Sequence, residues 1–194
     1  MHADNPNHRK TPAGVHRRSE VTPVLIRRWA QEYVSRWYTP TASVRASLWR
    51  RAKKRVAKDE LDATKVGTWI EQTLEELNSA GALDDARWAR DKAESLLRRG
   101  TSLRAISQRL RAKGLNQSLV DQALSALRDE EQCSDPAWEA ALAYARRRRF
   151  GPFQRGPAVK ERRKQLASMA RAGHSYAYSA RIIDAQDEQD LEPD

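Results

Sequence analysis

What this chain lacks narrows its function quickly. It has one cysteine, Cys133, so no internal disulfide can form and a reducing, cytoplasmic setting is expected. No stretch approaches the roughly 18 consecutive apolar residues of a membrane span. The N-terminal segment has no apolar core of the kind a secretory signal needs. A glycine-rich phosphate loop is missing, so nucleotide hydrolysis by the chain itself is not expected. His2, His8 and His16 lie in a polar arm, and His174 has no Cys or His at ligand spacing, which argues against a metal. Glu75-Glu76 and Asp84-Asp85 are adjacent acids rather than converging ones, and suit a helix surface and an N-cap. No catalytic, cofactor-binding or metal-ligating residue is therefore assigned, and a non-enzymatic protein is expected.

Alternating β patterning is almost absent as well, while helical spacing recurs throughout. Only 39% of residues are hydrophobic against 32% charged, so a thick central core is excluded in favour of a thin one buried unit by unit. Trp88 to Leu127 and Trp138 to Ile183 share one layout: a Trp-led helix, a basic link, a basic helix ending at glycine, and a short closing helix. Lys113-Gly114-Leu115 then falls over Ala172-Gly173-His174, and Ala123-Leu124 over Ile182-Ile183. Ile70, Leu74 and Leu77 lie 50 positions before Val120, Leu124 and Leu127, which extends the plan to an earlier unit. A period of about 50 residues implies stacked helical units that present an extended surface. The expected fold is all-α: an elongated, curved array of three tandem three-helix repeats.

The expected divisions are a disordered basic arm (1–21), repeat 1 (22–82), repeat 2 (83–132), repeat 3 (133–184) and a disordered acidic tail (185–194). In repeat 1, Pro23 opens a helix whose apolar face is Val24, Leu25, Trp29, Tyr33 and Trp37, running through Tyr38 until Pro40 breaks it. Thr41 or Ser43 caps a second helix to about Ala57, and a third carries Val66, Trp69, Ile70, Thr73, Leu74 and Leu77 to a stop at Gly81. In repeat 2, Asp84 or Asp85, Thr101 or Ser102, and Asn116 are the candidate caps, with Gly100 and Gly114 as stops. In repeat 3, Ser134 or Asp135 caps the first helix, Phe150-Gly151-Pro152-Phe153 breaks it, and a basic helix runs from about Pro157 to Ala172 before Gly173. Ser175 caps the last helix. Trp29, Trp69, Trp88 and Trp138 suit core packing more than base stacking.

Charge has its own pattern. The formal net charge is +10, which favours polyanionic partners. No acid occurs from Tyr33 to Lys58 or from Ser95 to Val120, and between Ala140 and Lys164 Glu161 stands alone against nine bases. Each stretch includes the second helix of a repeat, so one outward basic helix per unit is expected to form a track. Its bases include Arg45, Arg50 and Arg51, then Arg104, Arg109 and Arg111, then Arg162, Arg163 and Lys164. At 100° per residue, Arg104 and Arg111 point away from the Leu103–Ile106–Leu110 stripe, with Arg109 on its flank. Candidate contact residues are Arg98, Arg99, Arg104, Arg109, Arg111, Lys113, Arg147, Arg148, Arg149, Arg162 and Arg163. Asp184 to Asp194 carries six acids and no base, and one hypothesis is that this tail screens the track.

The run Leu96-Leu97-Arg98-Arg99-Gly100-Thr101-Ser102, followed by Ile106, Leu110 and Lys113-Gly114-Leu115, resembles the middle repeat of the RecX family of bacterial recombination regulators. Arg147-Arg148-Arg149-Phe150-Gly151-Pro152-Phe153 and Met169-Ala170-Arg171-Ala172-Gly173-His174-Ser175-Tyr176 resemble that family's third repeat. The resemblance spans roughly Thr22 to Asp184, strongly in repeats 2 and 3 and weakly in repeat 1. It implies a modulator that binds the RecA recombinase, especially the RecA–single-stranded DNA filament. Such a protein inhibits strand exchange and ATP hydrolysis and so restrains the DNA-damage response. Weak direct DNA binding is implied too, and a monomeric state and no cofactor are expected. Two positions depart from the family pattern: His174 replaces a common aromatic, and repeat 1 lacks the lysine–glycine stop. The rival reading is a DNA-binding protein acting without RecA, with Asn116 opening a recognition helix. About six phosphate contacts would give it a log–log salt slope near −5. Against it, the segment from Gln117 to Leu127 has no base and carries Asp121.

Overall fold

The computed structural model describes residues 20–55, 62–129, 135–155 and 161–191. The arm up to residue 19, Cys133 and the candidate cap Ser134, the helix start placed near Pro157 and the last three residues lie outside them. Among the described residues there are nine α-helices and no strand. They are α1 (Pro23–Val34), α2 (Thr41–Arg55), α3 (Ala63–Ser79), α4 (Asp85–Arg98), α5 (Leu103–Ala112), α6 (Gln117–Asp129), α7 (Pro136–Arg148), α8 (Arg162–Arg171) and α9 (Tyr176–Asp184). Single 3-10 turns follow at Gly151–Phe153 and Gln189–Leu191. None of the helices is long and apolar enough to cross a membrane.

Caps resolve most of the open choices. The side chains of Thr22, Asp84, Ser102, Asn116, Asp135 and Ser175 each accept a first-turn backbone N–H, satisfying donors the helix leaves orphaned. Stops follow one geometry. Gly81, Gly100, Gly114 and Gly173 all sit at positive φ, between 70° and 88°, where a Cβ is disfavoured. The next residue's N–H then reaches back into the final turn: Ala82 to Leu77 O, Thr101 to Leu96 O, Leu115 to Leu110 O and His174 to Met169 O.

Three helices pack together in each unit, every helix against the other two, around three separate cores. Ile26, Leu48 and Ile70 centre the first, Ile106, Leu110 and Leu127 the second, and Met169 and Ile182 the third. Four readings are corrected here. Val24 is 72% exposed, and α1 ends at Val34, leaving Trp37 and Tyr38 each 62% exposed; both aromatics have moved from the expected core face to the link between α1 and α2. Val21 and Leu83 are buried with the first core, one residue beyond each expected limit. The acidic tail is folded as far as Leu191, which is buried in the third core. Repeat 3 therefore extends past Asp184.

Neighbouring units meet through second helices placed end to start. A Cβ on Gly114, at the end of α5, would lie 2.5 Å from the Ala42 Cβ at the start of α2. A Cβ on Gly173, at the end of α8, would lie 2.6 Å from the Ser102 Oγ at the start of α5. The Ser102 hydroxyl donates to Ala172 O at 2.8 Å while accepting from Ala105 N, so one side chain serves two helix ends. First helices add to the joints. Thr41 N and Oγ1 both donate to Asp85 Oδ1, and Trp88 Nε1 donates to Tyr38 O. The Tyr38 hydroxyl donates to Asp91, and partial desolvation of that hydroxyl together with the bond pushes its pKa up to about 12. Helix α7 packs on both α4 and α5.

Gly100 shows how tight the second joint is: a Cβ there would overlap the backbone of Ala143 and Tyr144. At Gly81, with the same backbone sign, nothing lies within 4 Å. Gly100→Ala is expected to cost about 3 kcal/mol, backbone strain plus overlap, and Gly81→Ala about 1 kcal/mol, strain alone. Urea unfolding of the two variants checks the difference.

Candidate functional site

All eleven candidate contact residues are exposed, but their surroundings divide them. On α5, Arg104, Arg109 and Arg111, with Lys113 just beyond its end, have no partner among the described residues. The helix buries Ile106 and Leu110 and has no acid of its own. Arg99 and Arg163 are similarly unpaired. Arg98 lies 3.6 Å from Glu94 one turn earlier. Arg147 stacks on the Tyr144 ring at 5.6 Å. Arg148 and Arg149 complete the basic end of α7.

Arg162 is not an outward, unpaired base. Its Nε and Nη2 donate to the two Asp184 carboxylate oxygens at 2.6 Å each. The bidentate pair lowers the Asp184 pKa and raises that of Arg162. The first unit is muted in the same way. Arg45 makes a bidentate pair with Glu71 at 2.7 and 2.8 Å, and Arg51 reaches Glu32 at 3.4 Å. Arg50 is exposed and pairs with nothing described. The acid-free stretches thus overstate free charge, because acids on neighbouring helices reach into them.

Repetition of charge is also coarser than expected. Helices α5 and α8 are both 10 residues long, each ending one residue before its C-cap and two before a positive-φ glycine. That register sets Ser102 on Glu161, Ile106 on Gln165 and Leu110 on Met169. Only Arg104 then coincides with a base, Arg163; Arg109 matches the buried Ser168 and Arg111 matches Ala170. The unpaired charge concentrates on α5 and the turn after α7.

His174 takes the register position of Leu115, and both are buried. Its imidazole is 5.0 Å from the Tyr144 ring, which carries Arg147 on it. One side of the ring is bonded to the Gly100 backbone, while Nε2 is buried with no partner among the described residues. Burial holds its pKa below the ordinary 6.5, outweighing the backbone bond. Sequence reasoning saw the departure at this position but not that it sits inside the joint between units 2 and 3.

Two polar clefts lie away from the outward face of α5. One of about 290 Å³ is lined by Thr41, Arg45, Glu71, Glu75, Asp85 and Gly114 at the first joint. The other, about 350 Å³, lies behind the α7 end, with Arg146, Arg149, Arg155 and Phe153 in its wall. Of these four, only Arg149 was a candidate. Backbone hydrogen bonds set Arg149 where repeat 2 has Gly100, whereas aligning Trp88 on Trp138 sets Phe150 there, so the repeat register did not point to this arginine.

Comparison with known proteins adds what geometry alone does not carry. A family model described as the second three-helix domain of RecX matches residues 84–124, which run from the N-cap of α4 into α6. The regulatory protein RecX of Myxococcus xanthus is 30% identical over 179 residues, covering 91% of this chain and 94% of the relative. The chain belongs to the RecX family. The Pseudomonas entomophila regulatory protein RecX is 28% identical over 86% of the chain and 94% of its own length. That of Agrobacterium fabrum is 33% identical over 53% of the chain and 52% of its own. A crystal structure of regulatory protein RecX overlays with a TM-score of 0.55 at 22% identity, over 84% of this chain and 72% of that one. The family is thus one of regulatory proteins, and its helical array is the fold seen here.

Two outcomes follow from the surroundings of these groups. Arg104→Gln and Arg111→Gln are expected to leave the urea midpoint unchanged, within about 0.5 kcal/mol each, since neither side chain holds anything. His174 acts in the opposite sense. Below pH 6.5 the unfolded histidine binds a proton that the folded one refuses, so stability present above pH 6.5 is lost as pH falls toward the depressed folded value. Urea midpoints between pH 7.5 and 5.5 should fall for the native chain and fall less for His174→Leu.

Proposed function

We propose that this chain regulates the RecA recombinase by binding the RecA–single-stranded DNA filament and inhibiting its strand exchange and ATP hydrolysis. The chain acts in the cytoplasm, with no catalysis of its own. The observation that carries the reading is the charge of α5, unpaired among the described residues, in the middle of three helical units of a chain that belongs to a family of regulatory proteins. A filament is a repeating polyanion-bearing partner, and a series of units joined second helix to second helix can span more than one of its subunits. Arg104, Arg109, Arg111 and Lys113 make the central contact. Arg98, Arg99, Arg147, Arg148, Arg149 and Arg163 extend it on either side, and Arg162 joins only by giving up Asp184. Inhibition needs no chemistry: a protein that binds one filament state better than another shifts the population toward it.

The rival, duplex reading by α6 without RecA, has less behind it. That helix has no base until Arg128, close to its end, while the charge sits on α5. Groove readers place their contacts on the recognition helix itself.

The test is RecA ATPase on single-stranded DNA with sub-stoichiometric protein, where the native chain should lower the rate. The triple variant Arg104→Glu, Arg109→Glu and Arg111→Glu should need about tenfold more protein for the same effect, three exposed contacts at roughly 0.5 kcal/mol each. An unchanged rate with the native chain rejects the RecA reading. Tight, RecA-independent duplex binding with a salt slope near −5 would instead support the rival.

A further inference from the structure

The end of α7 breaks a rule that the rest of the chain keeps. Arg149 adopts φ 57°, ψ 63°, the sole positive-φ residue other than glycine among the described residues. Its N–H bonds Arg146 O and the following Phe150 N–H bonds Ala145 O. These bonds match those of Gly100 and Thr101, and the left-handed stops at Gly81, Gly114 and Gly173 are likewise glycine. A bulky residue in that backbone region is strained, and strain of this kind is retained where the side chain has a use. Folding alone would favour glycine here.

Arg149 lines a cleft of about 350 Å³ together with Arg146, Pro152, Phe153, Gln154, Arg155 and Glu188. Arg146 lies over the Phe153 ring at 5.3 Å, which holds its guanidinium plane. Arg149 and Arg155 are exposed and pair with no acid among the described residues. Among the described residues the carboxylate in the lining is Glu188, 3.6 Å from Arg146 in a half-exposed pair. It is delivered by the folded tail, which is pinned by buried Leu191 and by the Arg162–Asp184 pair. Within the tail, Asp190 Oδ2 accepts from Gln186 N and Asp187 Oδ1 accepts from Gln189 N.

We propose that this cleft is a phosphate-binding site for a single-stranded nucleic-acid backbone, and that Glu188 occupies it as an internal stand-in until the backbone displaces it. Guanidinium groups match phosphate oxygens in geometry and charge. Arg146, Arg149 and Arg155 around one cleft, opposed by Glu188, suit a chain bearing one charge per residue better than the mixed surface of a folded protein. The exposed pair at Glu188 is weak enough to be exchanged. The site needs no recombinase, so it stands or falls apart from the RecA reading.

The test uses the full chain and fluorescence anisotropy of labelled oligo-dT at low salt, without RecA. Glu188→Gln should tighten binding about threefold, while Glu139→Gln, the same charge change at the far end of α7, leaves it unaltered. Arg149→Gly should weaken binding about threefold and, by relieving the backbone, raise Tm by about 2 °C. Loss of affinity with a gain in stability is the signature of a side chain kept for a ligand. A fall in Tm for Arg149→Gly would show that the arginine serves the fold and overturns the assignment. Unchanged oligo-dT affinity in both variants overturns it as well. If Glu188→Gln tightens binding of a poly-glutamate peptide and not of oligo-dT, the ligand is an acidic protein segment and the nucleic-acid assignment fails.

Discussion

The array depends on one close approach, made twice: the last turn of a unit's second helix against the start of the second helix in the unit before it. At Gly114 on Ala42, and at Gly173 on Ser102, a side chain on the glycine would come within 2.6 Å of its neighbour. The backbone must turn left-handed to stop the helix and must do so without a Cβ, and glycine meets both demands at once. Ser102 adds a hydrogen bond across the second joint. Because each joint is local, stability is a sum of unit and interface terms rather than of one shared core.

That arrangement decides where charge can be presented. Second helices meet end to start, at Gly114 on Ala42 and at Gly173 on Ser102. What each face offers depends on its neighbours. Helix α2 loses Arg45 to Glu71 and Arg51 to Glu32; α8 loses Arg162 to Asp184. Helix α5 makes no ion pair among the described residues and keeps its charge there. The turn after α7 is the second concentration, and there the chain accepts a strained arginine where it elsewhere uses glycine.

Much of this was legible in the sequence, for reasons specific to each element. Gly100, Gly114 and Gly173 announce helix ends because no other residue suits a left-handed stop so well. Asn116 and Ser175 announce starts because their side chains bond the first turn. Met169 and Leu110 share a register that simple spacing reveals. The end of α1 was misread because Trp37 continues the helical spacing of Trp29 and Tyr33. The chain leaves the helix at Val34, and only packing against α4 accounts for the path of Tyr38. The tail was misread because its composition is polar, and one apolar residue, Leu191, was enough to fold it back.

Composition and periodicity by themselves determined that the chain is helical, repeated and basic, because caps, stops and apolar stripes are local properties written within a turn or two of sequence. The ion pairs that silence Arg45 and Arg162 join residues on different helices. The burial of His174 in a joint and the convergence of Arg146, Arg149 and Arg155 on one cleft likewise bring separate elements together. Only the tertiary structure decided those, since a charge is free or neutralised according to what another part of the chain places beside it.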